Sequence, residues 1–263
     1  MDAELVIENL KANDILKEIN LNLKGGTIAA LIGNSNIEKT ILLKSIFGLI
    51  KYHGNIKVNG VNINEENVFE LRKNIGIFLE TNEFENKNVI LNIMEPLKNL
   101  GYQEEEARNN IYEIAKKLDI ENLLYKKIET LSYSQKKIVA FARSIIHLPN
   151  IILIDNLFES IDLHFKNKII SYLNKLKKTK KVIILFTSNF PDDQLLADKL
   201  ILLKNGMIVC SEDTKKLMED EALFIKNKIK LPFIVDLSHK LKSYNFIDKI
   251  FYDMDEMVDE IWK

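Results

Sequence analysis

The sequence predicts an α/β protein built on a mostly parallel sheet. Three short apolar runs, at 28–32, 151–155 and 182–186, alternate with segments of helical periodicity. Such alternation is typical of parallel strands joined by right-handed helical crossovers. The first run is followed by Gly33 and the second ends on Asp155. Ligands of open parallel sheets bind at the carboxyl ends of the strands, so both positions are candidates for a functional site.

The remaining elements follow from residue spacing. Short apolar runs bounded by glycine or polar residues predict further strands, two of them mostly antiparallel; they lie at 5–7, 15–16, 75–79 and around Gly54 and Gly60. Apolar residues spaced three to four apart predict helices; these lie at 39–48, 66–73, 163–178, 221–228, 233–243 and 254–262. Residues 88–147 are helical by the same criterion, with Pro96 and Gly101 as predicted breaks.

Composition narrows the class of protein. The 263 residues are 46% hydrophobic and 29% charged, which is typical of a globular chain with one large or two small domains. A net charge of −1 without a run of like charges argues against nucleic acid as a partner. Cys210 is the only cysteine, which excludes an intrachain disulfide and fits a reducing cytosol. The acidic start and the absence of a long apolar run predict no signal peptide and no membrane span, so a membrane role requires a partner.

The stretch after the first apolar run carries the main motif. A strand, a loop beginning at Gly33 and a helix predicted to open at Lys39-Thr40 form an arrangement that holds phosphate groups. Backbone N–H groups face the anion, the lysine reaches the outer phosphates and the threonine hydroxyl binds Mg²⁺. The candidate binding residues are Gly33, Asn34, Ser35, Asn36, Ile37, Glu38, Lys39, Thr40 and Ile41. Glu38 departs from the pattern, which has glycine there, and the alternative is an ordinary turn in which Glu38 favours the helix dipole.

Two further residues have a functional and a structural interpretation. Asp155 at the end of an apolar strand is where a phosphate-loop enzyme holds Mg²⁺ through water, next to the Thr40 hydroxyl. The alternative is a helix N-cap. Ser132 likewise either caps a helix whose dipole points at an anion or caps an ordinary amphipathic helix.

Together these segments resemble an ATP-binding cassette of ABC transporters. The resemblance covers about residues 4–218 and rests on the order and spacing of its motifs: Leu131-Ser132-x-x-Gln135, Arg143, 151–155, Ile161-Asp162 and 186–189. The tail at 231–241 and the strand at 198–206 are similar to the ATPases of energy-coupling factor (ECF) transporters, which serve vitamin and metal-ion uptake.

The resemblance implies a specific architecture. It is a P-loop NTPase with a RecA-like, mostly parallel sheet, an antiparallel β subdomain and a helical signature subdomain at about 82–147. The cassette occupies 1–218, and 219–263 forms a C-terminal helical extension for dimerisation. The implied ligands are ATP and Mg²⁺. Ser132 and Gln135 match the signature that contacts ATP held by a partner subunit, and Thr40, Asp155 and Glu80 are the implied metal contacts.

The chain departs from this pattern at the positions that carry the chemistry. Asn156 stands where the family has the glutamate that polarises the attacking water, and Ser188 stands at the switch histidine. An amide is no useful base at neutral pH, so general-base help of roughly 10²–10⁴-fold is expected to be missing. Glu80 replaces a glutamine that senses the metal, and Tyr133-Ser134 replaces paired glycines. The hydrophobic framework is nonetheless intact.

The resemblance therefore predicts an ATP-binding subunit of an ECF-type uptake complex, peripheral at the cytoplasmic face of the cell membrane. Its partners would be a second cassette chain, different or identical, an integral transmembrane subunit that docks near 68–102, and a substrate-binding membrane component. This chain would be the catalytically degenerate half of the pair. The alternatives are a non-hydrolysing scaffold in the same complex and a cassette acting outside transport. The signature argues against a small-molecule kinase.

Overall fold

One ten-stranded sheet organises residues 2–64, 66–80 and 84–262, the parts of the chain that the computed structural model describes. Its strands, in chain order, are β1 Glu4–Ala12, β2 Leu16–Lys24, β3 Thr27–Ile32, β4 His53–Val58, β5 Val61–Asn62, β6 Ile75–Phe78, β7 Ile151–Asp155, β8 Ile183–Thr187, β9 Lys199–Lys204 and β10 Met207–Asp213.

Helices cover both faces of this sheet. They are α1 Asn36–Ile46, α2 Val68–Arg72, α3 Val89–Asn99, α4 Glu104–Leu118, α5 Tyr133–Ile145, α6 Leu163–Lys178, α7 Thr214–Met218, α8 Glu221–Asn227, α9 Phe233–Ser243 and α10 Met254–Ile261. Short 3₁₀ turns lie at Glu121–Leu123, Ile128–Thr130 and Pro191–Leu196. Within the described residues, no helix is long and apolar enough to span a bilayer.

The strand order is β5-β4-β1-β2-β10-β9-β3-β8-β7-β6. Strands β9, β3, β8, β7 and β6 pair in parallel, whereas β1 pairs antiparallel with β2 and β4. The predicted α/β class, with a mostly parallel sheet and an antiparallel portion, is confirmed. Thr187 lies beside both Leu31 and Asp155 in register, so β3, β7 and β8 end at one edge.

The parallel strands are buried on both faces, which explains their continuous apolar runs. In β3, Ile28, Ala30 and Ile32 face the core shared with α3–α6 and the tail. Ala29 and Leu31 face the core shared with α1 and the antiparallel strands. The strands are thereby held rigidly between two cores, and the loops at their carboxyl ends carry the candidate site.

The first helix begins earlier than predicted. It starts at Asn36 rather than at Lys39-Thr40, because the Ser35 side chain accepts a hydrogen bond of 3.3 Å from the Glu38 N–H and caps it. Glu38 and Lys39 consequently belong to the first helical turn. The Lys39 N–H donates to the main-chain oxygen of Ser35 at 3.4 Å, so the N–H groups of Asn36 and Ile37 are the ones in this turn that are left for an anion.

Pro96 does not break the helical region where a break was predicted. It lies inside α3, and Ile93, Met94 and Leu97 around it are fully buried. Proline removes one backbone hydrogen bond from a helix, and the packing of these neighbours offsets that loss. The helix ends before Gly101, whose φ is 83°, so that predicted break is confirmed.

Other predicted boundaries are close to those observed. Helices α6 and α9 have the predicted bounds, whereas α2 is shorter than 66–73 at both ends. The tail helices pack on the main core through Phe224, Val235 and Met257. Residues 82–83, where the helical subdomain was predicted to begin, lie outside the described parts, and the division of the chain at 218 stays a prediction.

Candidate functional site

The loop between β3 and α1 is held tightly against β9. A Cβ atom on Gly33 would lie 2.3 Å from the main-chain oxygen of Leu203. Only glycine allows this approach, so the requirement at Gly33 is steric. Further along, Ile37 is exposed and Ile41 is buried in the core against the antiparallel strands. Ile41, predicted as a binding residue, can therefore offer its main chain but not its side chain.

Lys39 is a cation without a hydrogen-bond acceptor in the described part of the chain, although it is only 3% exposed. Burial lowers the pKa of its ammonium group, while the charge of Asp155 opposes that shift. The group sits in the first turn of α1, where the helix dipole also favours an anion. A buried cation at a helix N-terminus is the arrangement expected of a phosphate site.

Beside this lysine, two hydroxyl groups form hydrogen bonds to the Asp155 carboxylate. Thr40 Oγ1 donates to Asp155 Oδ2 at 2.7 Å, and Thr187 Oγ1 donates to Asp155 Oδ1 at 2.8 Å. A hydroxyl and a carboxylate are the hard ligands that Mg²⁺ prefers, and Mg²⁺ commonly takes its other ligands from substrate phosphates and water. The pair Thr40–Asp155 fits the predicted metal site. No cluster of three or more His, Cys, Asp or Glu side chains lies elsewhere in the described residues as a rival metal site.

Asn156 points its amide at two carboxylates. Its Nδ2 donates to Glu80 Oε2 at 3.3 Å and also to Glu159 Oε2. Asn189 Nδ2 donates to the same oxygen of Glu159 at 3.0 Å. The Asn156 Oδ1 is buried and has no hydrogen-bond partner in the described residues. At the position of the missing glutamate there is thus a donor group, and Glu80 contacts that amide.

Ser188 is held by a buried carboxylate. Its hydroxyl donates to Asp193 Oδ2, and Lys166 Nζ donates to the other oxygen of the same group. Asp193 is 1% exposed, so both partners compensate a buried charge. The Ser188 hydroxyl is engaged here and is not a substitute for an imidazole.

The segment beginning at Ser132 forms a helix cap. Ser132 Oγ accepts from the Gln135 N–H at 3.2 Å, and Gln135 Oε1 accepts from the Ser132 N–H at 3.0 Å, which is a capping box. Ser134 is buried, and its Oγ accepts from the Asp162 N–H at 3.0 Å. The side chain of Tyr133 is 55% exposed at the helix start. Ser132 is exposed as well, as the predicted contact with a second subunit requires.

Buried Lys137 ties this helix to the loop after β7. Its Nζ donates to the main-chain oxygens of Asn156 at 3.2 Å and Leu157 at 3.4 Å, and to that of Glu159. Burial lowers the pKa of Lys137, while the charges of Glu80 and Glu159 oppose that shift. The loop after β7 therefore contacts both the Asp155–Thr40 site and the start of α5. The two candidate binding segments border one loop at the same edge of the sheet.

The carboxylate of Glu38 is partly buried and has no cationic partner in the described residues. Its Oε2 is buried without a hydrogen-bond partner in the described residues, and it forms no ion pair with Lys39. Together with Asn34 and Asn227, its side chain lines a small cavity of about 120 Å³. Asn34 Nδ2 donates to the main-chain oxygen of Asn227 at 2.8 Å. Asn36, the remaining loop position in the predicted set, is exposed.

Three residues of this site were not among the site residues predicted from the sequence. Thr187 donates a hydrogen bond to Asp155, Lys137 connects α5 to the loop after β7, and Glu159 accepts a hydrogen bond from Asn156. Only Thr187 had a usable signal, because it ends a strand that neighbours the Asp155 strand. The other two act through main-chain or short-range contacts that depend on how the loop after β7 folds back.

A groove lies beside α5. It has a volume of about 580 Å³ and is lined by residues of α2, β6, α3 and α5. Its lining includes Phe69, whose side chain is 73% exposed, and Arg72, which lies over the Phe69 ring at 5.3 Å. Pro96 and His147 also line it. An exposed aromatic residue in an apolar groove is typical of a protein-binding surface.

Comparison with known proteins agrees with this geometry. The family described as ABC transporter matches residues 16–159. The energy-coupling factor transporter ATP-binding protein EcfA1 of Mesomycoplasma hyopneumoniae is 32% identical over 253 residues, which are 95% of this chain and 91% of that protein.

Solved structures share the fold. The structure of cbiO1 from Clostridium perfringens, part of the ABC transporter complex cbiONQ, matches with a TM-score of 0.74 and 25% identity. The match covers 91% of this chain and 100% of that one. A dimeric ATP-binding cassette bound to ADP and Pi matches in fold with a TM-score of 0.70 and 24% identity, over 81% of this chain and 98% of that one. The chain belongs to the ABC transporter family, and within it to the ATP-binding subunits of energy-coupling factor transporters.

Proposed function

We propose that this chain binds ATP with Mg²⁺ through Gly33, Lys39, Thr40 and Asp155, as the catalytically degenerate half of a pair of cassettes. The proposal depends mainly on one observation: Lys39 is buried beside the Thr40–Asp155 pair, and its ammonium group has no hydrogen-bond acceptor in the described residues. In an enzyme of this class the metal neutralises phosphate charge. ATP turnover then occurs mainly on the phosphate loop of the partner cassette, against Ser132 and Gln135 of this chain.

The degenerate assignment rests on Asn156 and Ser188. Asn156 presents an amide donor where a base is needed, and the two carboxylates nearby are its acceptors. The Ser188 hydroxyl is bound to Asp193. General-base help is worth roughly 10²–10⁴-fold, so hydrolysis on this chain's own site is expected to be slow.

We further propose partners at a membrane. The chain sits at the cytoplasmic face of the cell membrane, because the groove beside Phe69 fits an apolar segment of an integral transmembrane subunit. The complex takes up a vitamin or a metal ion that a separate membrane component binds. The exposed apolar side chains of the tail, Phe246 and Trp262 among them, fit pairing with the tail of the second cassette.

An ATPase assay separates this chain's activity from that of the complex. The purified chain is expected to hydrolyse ATP at the background rate, and N156E combined with S188H is expected to raise that rate. Robust turnover by the unmodified chain alone would contradict the degenerate assignment. Affinity purification of the tagged chain, with identification of the co-eluting proteins, tests the membrane partners.

A second candidate is a scaffold that binds no nucleotide. It is favoured by one observation, the buried and unpartnered Glu38 Oε2 next to the phosphate loop. A carboxylate at ~4 Å from a phosphate is repelled by about 4 kcal/mol at an effective dielectric constant near 20. Equilibrium binding of labelled ATP decides between the two candidates, with K39A as the control.

A further inference from the structure

The C-terminal extension touches the phosphate loop directly. Asn34, the second residue of the loop, donates its Nδ2 hydrogen to the main-chain oxygen of Asn227 at 2.8 Å. Asn227 is the last residue of α8 and is 193 residues away in sequence. The contact therefore joins the candidate nucleotide site to a segment outside the predicted cassette.

Asn227 is itself fixed from two sides. It is 5% exposed, its Oδ1 accepts from Lys204 Nζ at 2.9 Å, and its Nδ2 donates to the Leu223 oxygen at 2.8 Å. Lys204 ends β9, the strand against which Gly33 packs through the Leu203 oxygen. The end of β9, the end of α8 and the start of the phosphate loop thus form one connected set.

A cavity lies at the centre of this set. Its volume is about 120 Å³, and its lining includes Glu38, Lys204, Asn227 and Ile229. Glu38, whose Oε2 has no hydrogen-bond partner in the described residues, and Lys204 both line this cavity. A phosphate anion in the loop would repel the Glu38 carboxylate, so nucleotide binding would act on a residue that shares this cavity with Lys204 and Asn227.

We propose that Asn227 and Lys204 are positioning residues for the phosphate loop, so that packing of the C-terminal extension and binding of nucleotide are energetically coupled. The contact with Asn34 holds the loop backbone, and the bond from Lys204 holds Asn227. Because coupling between two sites is reciprocal, nucleotide must also stabilise the tail around Asn227. The positioning of the loop by Asn227, the first half of the proposal, does not depend on nucleotide binding. The effect of nucleotide on the tail, the second half, rests on the proposed function.

Amide hydrogen exchange on the full-length, nucleotide-free protein tests the first half. N227A keeps the main-chain oxygen that accepts from Asn34 but removes the side-chain bonds to Lys204 and Leu223 that fix its position. It is therefore expected to speed exchange at 34–39 by about fivefold. K226A is the matched control, because Lys226 is the exposed neighbour of Asn227 on the same helix, and it is expected to leave 34–39 unchanged. N227D retains an acceptor for Lys204 and is expected to restore slow exchange. Equal exchange at 34–39 in N227A and K226A would overturn the proposal.

N34A covers the case in which N227A unfolds the tail. This variant leaves the bonds of Asn227 to Lys204 and Leu223 in place, and it is expected to speed exchange at 223–231 by about threefold to fivefold. Unchanged exchange there would also overturn the proposal.

The nucleotide half uses Mg²⁺ and a non-hydrolysable ATP analogue. In the wild-type chain the analogue is expected to slow exchange at 223–231. In N34A, at an analogue concentration that saturates both chains, this protection is expected to disappear. Protection that is identical in both chains would overturn the coupling. If the wild-type chain bound no analogue, the proposed function would fail, and the nucleotide-free experiment would still decide whether Asn227 positions the loop.

Discussion

Thr40 Oγ1 lies 2.7 Å from Asp155 Oδ2, and this contact joins the N-terminal half of α1 to the end of β7. The two residues are 115 positions apart in sequence, yet the parallel pairing of β3, β8 and β7 places them at one edge of the sheet. In the nucleotide-free protein this bond satisfies a carboxylate that is 8% exposed. When Mg²⁺ binds, the same two oxygen groups would turn to the metal.

Replacing Thr40 tests this relationship. T40V removes the hydroxyl while keeping the side-chain volume, so it is expected to lower the free energy of unfolding by about 1 kcal/mol, since Asp155 loses a partner. It is also expected to abolish the dependence of ATP affinity on Mg²⁺. Urea unfolding and ATP titrations with and without Mg²⁺ provide the measurements. T40S retains a hydroxyl and is the control; identical metal dependence in T40V and T40S would contradict the metal role of Thr40.

Lys39 provides a prediction in which stability and binding change in opposite directions. K39M removes a buried cation without an acceptor, so the nucleotide-free protein is expected to gain on the order of 1 kcal/mol in the free energy of unfolding. Because burial lowers the pKa of Lys39, the wild-type protein also gains stability as the pH rises from the folded pKa toward the ordinary value of 10.5. That gain is expected to be absent in K39M.

Calorimetry and ATP binding on the same preparation of K39M check this prediction. Binding is expected to be lost, because the ammonium group reaches the outer phosphates in a phosphate loop. A variant that is less stable and still binds ATP would contradict the assigned role.

Glu38 is expected to weaken nucleotide binding. E38Q removes the negative charge at nearly constant volume and is expected to tighten ATP binding by about tenfold, which is well below the unscreened limit because the side chain faces the cavity. The improvement is expected to shrink as salt is raised. E38D retains the charge and is the control, measured in the same titration. Equal affinity in wild type and E38Q would show that the carboxylate does not act on the ligand.

Restoring hydrolysis requires more than the two missing residues. In N156E a third carboxylate would face Glu80 and Glu159, where the asparagine now donates to both. Neighbouring negative charges raise the pKa of a carboxyl group, so the new glutamate would more often be protonated and unable to accept a proton from water. We therefore expect that N156E with S188H restores only part of the activity, and that adding E159Q raises kcat by a further factor of about ten.

Steady-state kinetics of the double and triple variants provide the measurement, with E159Q alone as the control. A triple variant no faster than the double variant would contradict this account of the carboxylate cluster.

The sequence predicted the strands and most helices because their apolar spacing is a local property. Asp155 was predicted as a site residue in the same way, since it ends an apolar run. The contacts around Asn156 could not be predicted from the sequence, because Glu80 and Glu159 reach the same amide group only through the packing of β6 and the loop after β7. The early start of α1 depends on one hydrogen bond, from the Glu38 N–H to Ser35. Pro96 within α3 is explained by tertiary packing, which overrides its local preference.

His147 gives the protein a pH-dependent stability. Its Nε2 lies 3.2 Å from the Ile75 oxygen, and its Nδ1 is buried without a partner in the described residues. Burial lowers the pKa of His147, so the unfolded chain binds a proton more readily, and stability falls as the pH drops through the ordinary value of 6.5. H147Q is expected to reduce that loss. Urea unfolding between about pH 5 and pH 8 checks it, with H53Q, at an exposed position, as the control.

An equilibrium titration of the full-length chain with labelled ATP in the presence of Mg²⁺, alongside K39A, tests whether the phosphate loop binds nucleotide. The wild-type chain is expected to show saturable, micromolar binding that K39A weakens by at least about 100-fold, equivalent to about 2.8 kcal/mol. Absent binding, or equal binding by both chains, would contradict nucleotide binding by this loop.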